Sequence, residues 1–238
     1  MCLYNVKKII HLLLLCILIS SCKKGIIAAN KLKANDVSAV DTVTVINQGI
    51  PGNTAENLLS RINTVIKQAP NLVIIMVGTN DVIQGNNTYN SFNGTLSVII
   101  DSLKHTGSSV MLLTPPPIES WNAVTRDTAR IKGICTMINN LSVGKSCYYV
   151  DVNAVFRGVL TSANCHQYYF TDGVHPTAIG DKDMATAIFN YMSTKKITAG
   201  KIVCFGDSIT YGAYLKGQGT SSGDTYPAVL QAYLNTPD

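Results

Sequence analysis

The heptapeptide LVIIMVG (72–78) contains no polar side chain, and it constrains the fold more than any other stretch. A strand with apolar residues on both faces has to be covered above and below, as in parallel sheets packed between helices. Four more runs of strand length accompany it: VTVINQG (43–49), SVMLLTPPP (109–117, stopped by three prolines), CYYVDV (147–152) and KIVCFGD (201–207). Segments of helical periodicity separate them, over 53–69, near 89–105, near 123–142 and over 175–192, with a last one over 224–235. In the first, Asn53 and Glu56 have capping-box spacing, and Leu58, Leu59, Ile62, Val65 and Ile66 share one face. Pro176 suits the first turn of the fourth. Strands alternating with helices predict an α/β three-layer sandwich around a five-stranded, mostly parallel sheet. Ligand sites in such folds lie at the carboxyl ends of the strands, where NQGIPGN, GTND and GDSIT are all found.

The amino-terminal segment reads differently. Lys7 and Lys8 precede IIHLLLLCILI (9–19), an apolar run too short to span a bilayer, and small residues then lead to Cys22. This arrangement resembles the lipobox of bacterial lipoproteins. The resemblance implies a signal peptide over 1–21, lipid attachment at Cys22, a tether through residue 41, and a location at the bacterial cell envelope. An ordinary secretory signal cut nearby is the alternative, and both predict export. Residues 42–238 then form a single domain, long enough for a full core. Without Lys7 and Lys8, 17 basic residues face 14 acidic ones, and no basic run follows CKKG, which argues against a nucleic-acid partner. Export permits disulfides among Cys135, Cys147, Cys165 and Cys204; Cys147 with Cys165 is a conceivable pair, while Cys204, in mid-strand, reads as a buried thiol.

Ser208 follows Gly206-Asp207 at the end of a strand. A serine hydroxyl attacks well only when a base takes its proton. His175, in TDGVHPT, has Asp172 three residues before it, so one short loop can present a carboxylate and an imidazole together. An oxyanion needs donors aimed at one point. Gly52 can bring a backbone N–H close to a ligand, Asn80 can offer a side-chain amide, and the Ser208 N–H would be a third donor. Each feature has a plainer reading taken singly: a capping Asp172, a turn at Gly52, an Asx turn at Asn80. A Cys165, His166, Asp172 and His175 metal site lacks regular ligand spacing. A dinucleotide turn at NQGIPGN lacks the first glycine and the acid closing the next strand.

Together, GDSIT (206–210), NQGIPGNT (47–54), GTND (78–81) and DGVHP (172–176) resemble the four sequence blocks of the SGNH (GDSL-type) hydrolases. The resemblance covers nearly everything from Val43 to Asn235. It implies a nucleophile at Ser208, a base at His175, an orienting acid at Asp172, oxyanion donors at Ser208, Gly52 and Asn80, and no metal or cofactor. The block order departs from the family, where the serine block comes first; closing the chain into a ring restores it, which reads as a circular permutation. The implied activity is a serine esterase working through an acyl-enzyme, and by family analogy a carbohydrate O-acetylesterase acting on acetylated polysaccharide. The polar, glycine-rich YLKGQGTSSGDT (214–225) suits an open site better than an acyl channel, and Trp121 is a candidate sugar platform. A lipid acylhydrolase and a non-catalytic carbohydrate-binding lipoprotein are the alternatives.

Overall fold

The computed structural model describes residues 42–85, 89–119 and 128–236. The lipobox-like segment, the tether and Trp121 lie outside these residues. Five parallel strands form one sheet: β1 (Thr44–Gly49), β2 (Leu72–Met76), β3 (Ser109–Leu113), β4 (Tyr148–Val150) and β5 (Lys201–Gly206), in the order β1-β5-β2-β3-β4. The last strand in sequence thus occupies a place between the first two. Every residue of β2 is buried, as its all-apolar sequence requires.

Helices cover both faces. Val73, Ile75, Val110, Leu112, Val203 and Phe205 point to one side. They meet buried residues of α1 (Ala55–Ser60), α2 (Ile62–Ile66), α4 (Tyr89–His105) and α5 (Thr128–Gly144). Leu72, Ile74, Met76, Met111, Leu113, Ile202 and Cys204 point to the other. There they meet α6 (Val152–Val159), α8 (Ala178–Lys195) and α10 (Tyr226–Leu234). The period-two alternation divides one apolar sequence between two cores. Among the described residues, the outer edge of β1 is closed by side chains rather than by another strand. Asn235 accepts from the Val43 N–H (2.8 Å) and donates to its carbonyl (2.9 Å), while Gln231 accepts from the Val45 N–H (2.8 Å). Such capping blocks edge-to-edge pairing with another chain.

Several boundaries differ from the sequence expectation. The helix over 53–69 breaks at Arg61, whose φ of −113° and ψ of 14° separate α1 from α2. Its capping box is formed by Thr54 and Asn57, one residue beyond Asn53 and Glu56, because Asn53 accepts from Arg61 Nε (2.7 Å) instead. Pro176 lies before the N-cap Thr177, in a bridge to Tyr169, so α8 starts later than expected. Strand β4 is short because Asp151 caps α6, accepting from the Ala154 N–H (2.9 Å). The short helices α3 (Thr79–Ile83), α7 (Cys165–Tyr168) and α9 (Ser208–Tyr211) had no periodicity long enough to announce them. Cys135, Cys147, Cys165 and Cys204 are all free thiols, so Cys147 and Cys165 are not paired. Cys204 is fully buried as expected, and burial pushes its thiol up to about 12.

Candidate active site

The carboxyl ends of the three neighbouring strands are level. Gly206 of β5 is in register with Gly49 of β1 on one side and with Met76 of β2 on the other. The next residues of each strand therefore turn over one edge of the sheet. After β5, Asp207 caps α9 by accepting from the Ile209 N–H (2.9 Å), and Ser208 becomes the first residue of that single turn. The turn fits only because glycine precedes it and lies beside it. A Cβ on Gly206 would come within 2.1 Å of Thr210 Oγ1, and one on Gly49 within 2.1 Å of the Tyr211 backbone nitrogen.

The loop before α8 brings His175 over this serine. Its Nε2 lies 2.8 Å from Ser208 Oγ, and its Nδ1 lies 2.6 Å from Asp172 Oδ2. The other oxygen of Asp172 accepts from the backbone N–H groups of Val174 (2.9 Å) and His175 (3.0 Å). A carboxylate facing Nδ1 selects the tautomer with its proton there, which leaves Nε2 as an acceptor toward the serine hydroxyl. Burial pushes the Asp172 carboxyl up, but the bonds from His175 and Val174 outweigh it, and the group ends below its ordinary range. The D-x-x-H loop and GDSIT, 33 residues apart, thus form a continuous acid–imidazole–hydroxyl chain.

Gly52 and Asn80 belong to the same edge. Gly52 has a φ of +80°, a left-handed conformation that favours glycine, and its carbonyl accepts from Gln84 Nε2 (3.0 Å). Asn80, in α3, directs its amide nitrogen at the Asn53 carbonyl (3.0 Å) and, at a longer 3.4 Å, at Asp207 Oδ2. The amide therefore stands next to the serine turn, and its longer bond is the one a substrate oxygen could displace. Asp81 accepts from the Ala55 N–H (3.1 Å) and so ties the GTND turn to the start of α1.

Two residues escaped sequence reasoning. Arg61 donates to the carbonyls of Gln48 and Gly206 (both 2.9 Å) and lies 4.5 Å above the Phe205 ring, joining the ends of β1 and β5. Burial lowers its guanidinium to about 10. The signal was an arginine among Leu58, Ile62 and Val65, on a face that is otherwise apolar. Asp207 is the other. Burial, with Asp81 nearby, raises its carboxyl to about 7 despite the bond from Ile209. The alternative metal cluster does not form: His175 is engaged by Asp172 and Ser208, and among the described residues no three His, Cys, Asp or Glu side chains are placed to hold a metal ion.

An imidazole bonded to a serine hydroxyl on one nitrogen and to a carboxylate on the other can accept the hydroxyl proton as the oxygen attacks a carbonyl. Comparisons with known proteins give the family and the fold. The model of the GDSL-like Lipase/Acylhydrolase family matches residues 28–182, about two thirds of the chain and ending before the serine turn. An acetylxylan esterase from Geobacillus stearothermophilus is 28% identical over 155 residues, covering 61% of this chain and 70% of that protein. Among solved structures, a lipase/acylhydrolase from Enterococcus faecalis superposes with a TM-score of 0.55 at 24% identity, over 62% of this chain and 74% of the other. A catalytic mutant of the Geobacillus stearothermophilus acetylxylan esterase gives 0.52 at 24% identity, over 59% and 68%. At these identities the superpositions speak to the fold.

Proposed function

Because the chain belongs to the GDSL-like lipase/acylhydrolase family of esterases, we propose that Ser208, His175 and Asp172 form its catalytic triad and that its substrate is an O-acetylated carbohydrate. The observation that carries the triad is the unbroken chain from Asp172 Oδ2 through His175 to Ser208 Oγ, at 2.6 and 2.8 Å. His175 Nε2 takes the serine proton as Oγ bonds to the ester carbonyl carbon. The carbonyl oxygen becomes an oxyanion held by the N–H groups of Ser208 and Gly52 and by the Asn80 amide, whose long bond to Asp207 gives way. The imidazolium then returns the proton to the departing alcohol oxygen. Water, deprotonated by the same imidazole, attacks the acyl-enzyme and frees the acid and Ser208. No step calls for a metal or cofactor.

The acetyl-carbohydrate preference rests on the distant relationship to the acetylxylan esterase and on the polar loop over 214–225. Hydrolysis of p-nitrophenyl acetate, butyrate and octanoate tests it, beside Ser208→Ala. The expected outcome is a rate that falls with acyl length and disappears in the variant. A preference for octanoate would move the substrate to lipids, and activity persisting in Ser208→Ala would remove the triad.

Two further readings belong here. The order of the sequence blocks, with Val43 hydrogen-bonded to Asn235, supports a circularly permuted domain. A rearranged chain that begins at Lys201 and joins Asn235 to Val43 should fold and keep the activity. Attachment to the envelope through a lipid on Cys22 rests on the sequence alone, and Cys22→Ala should release the protein from membranes.

A further inference from the structure

Tyr214 stands in the polar loop after α9, and its environment is unusual on three counts. The residue is 66% exposed, yet its ring meets His175 edge-to-face at 5.2 Å and 87° and Phe170 at 5.3 Å and 69°. Its φ is +70°, a conformation costly for a bulky side chain. The loop is nonetheless fixed. The Tyr214 N–H donates to Gln218 Oε1 (3.3 Å), Leu215 is buried beside it, and Gly219 N–H donates to the Tyr211 carbonyl (2.6 Å). Strain held by surrounding bonds, with an aromatic ring left open to solvent against the base, points to a ligand-facing role.

The chemistry decides which part of the ligand. His175 Nε2 must reach the departing alcohol oxygen to protonate it, so the alcohol portion of the ester lies on the His175 side of Ser208 while the acyl portion lies away from it. Tyr214 touches His175 and therefore borders the alcohol portion. We propose that Tyr214, braced by Phe170, is a stacking platform for the sugar ring that carries the acetyl ester, and so a specificity-determining residue; this rests on the carbohydrate reading above. A pyranose ring presents a face of C–H groups that suits an aromatic surface, whereas a small alcohol leaves that surface uncovered.

Kinetics on two acetate esters test the platform: an O-acetylated methyl xyloside, and ethyl acetate as the small-alcohol control. In Tyr214→Ala, kcat/KM for the glycoside ester should fall about tenfold more than for ethyl acetate, mostly through KM. Tyr214→Phe, which keeps the ring, should restore it. Equal losses on both esters would overturn the proposal, since Tyr214 would then act through His175, and so would equal retention on both. The wild-type measurements judge the carbohydrate reading separately: hydrolysis of ethyl acetate with none of the glycoside ester would refute that reading, and the platform with it. Binding of unacetylated xylotriose to Ser208→Ala, weakened about tenfold when Tyr214→Ala is added, gives a second readout that needs no turnover.

Discussion

Replacing Asp172 by asparagine separates the orienting role proposed for this residue from its structural one. The bonds Asp172 accepts from its own loop are on Oδ1 from the Val174 and His175 N–H groups and on Oδ2 from the His175 ring. An asparagine keeps a carbonyl oxygen for the first two, so the loop retains its shape. Its NH2 then faces His175 Nδ1, which has to become an acceptor, and the ring proton moves to Nε2. There it points at Ser208 Oγ, and the base can no longer take the serine proton. In Ser-His-Asp enzymes this inverted tautomer costs roughly 10⁴ in kcat, about 5 kcal/mol of transition-state stabilisation. Asp172→Asn should therefore lower kcat on p-nitrophenyl acetate by roughly 10³–10⁴ while melting close to the wild type. Asp172→Ala removes every acceptor. Each N–H left without a partner costs about 1–3 kcal/mol, so this variant should lose activity and melt lower. Steady-state kinetics paired with thermal melts distinguish the two. If Asp172→Asn folds normally and keeps more than a tenth of wild-type kcat, the orienting role is wrong.

Asn80→Ala should lower kcat by roughly 10²–10³-fold with little change in KM, as loss of an oxyanion donor does; an effect below a few-fold would take Asn80 out of the oxyanion site. Asp207 predicts a pH dependence of stability. Its carboxyl rises from an ordinary value near 3.8 to about 7 in the fold, so its stabilising protonated state is fully present below pH 3.8 and lost as pH rises through about 7. Melting of the wild type relative to Asp207→Asn should accordingly decline between pH 4 and 7 and then level off; parallel curves would count against a buried, neutral Asp207 at low pH. Gly49→Ala forces a Cβ within 2.1 Å of the backbone of α9, which carries the serine. Its melting temperature and its kcat should fall together, and a normal melt with wild-type kcat would show that α9 can shift without consequence.

The sequence alone determined the layers and offered the candidate chemical groups. An unbroken apolar run such as LVIIMVG has one stable environment, and strands alternating with helices admit few arrangements, so the parallel sandwich was legible at residue level. Ser208 was legible as a candidate because it follows a strand in a tight Gly-Asp-Ser turn, and Asp172 and His175 because a carboxylate and an imidazole three residues apart can be presented by one loop. Only the tertiary structure decided how those turns meet. Strand β5, last in the chain, sits between β1 and β2, because pairing is decided by buried surface and register rather than by order of synthesis. Arg61 and Asp207 carry their bonds to residues 13 and 145, or 127, positions away, and local periodicity holds no information at that range. The same is true of Tyr214: read along the chain it is one aromatic residue in a polar loop, and its place beside His175, 39 residues before it, exists only once the sheet has brought the two loops to one edge.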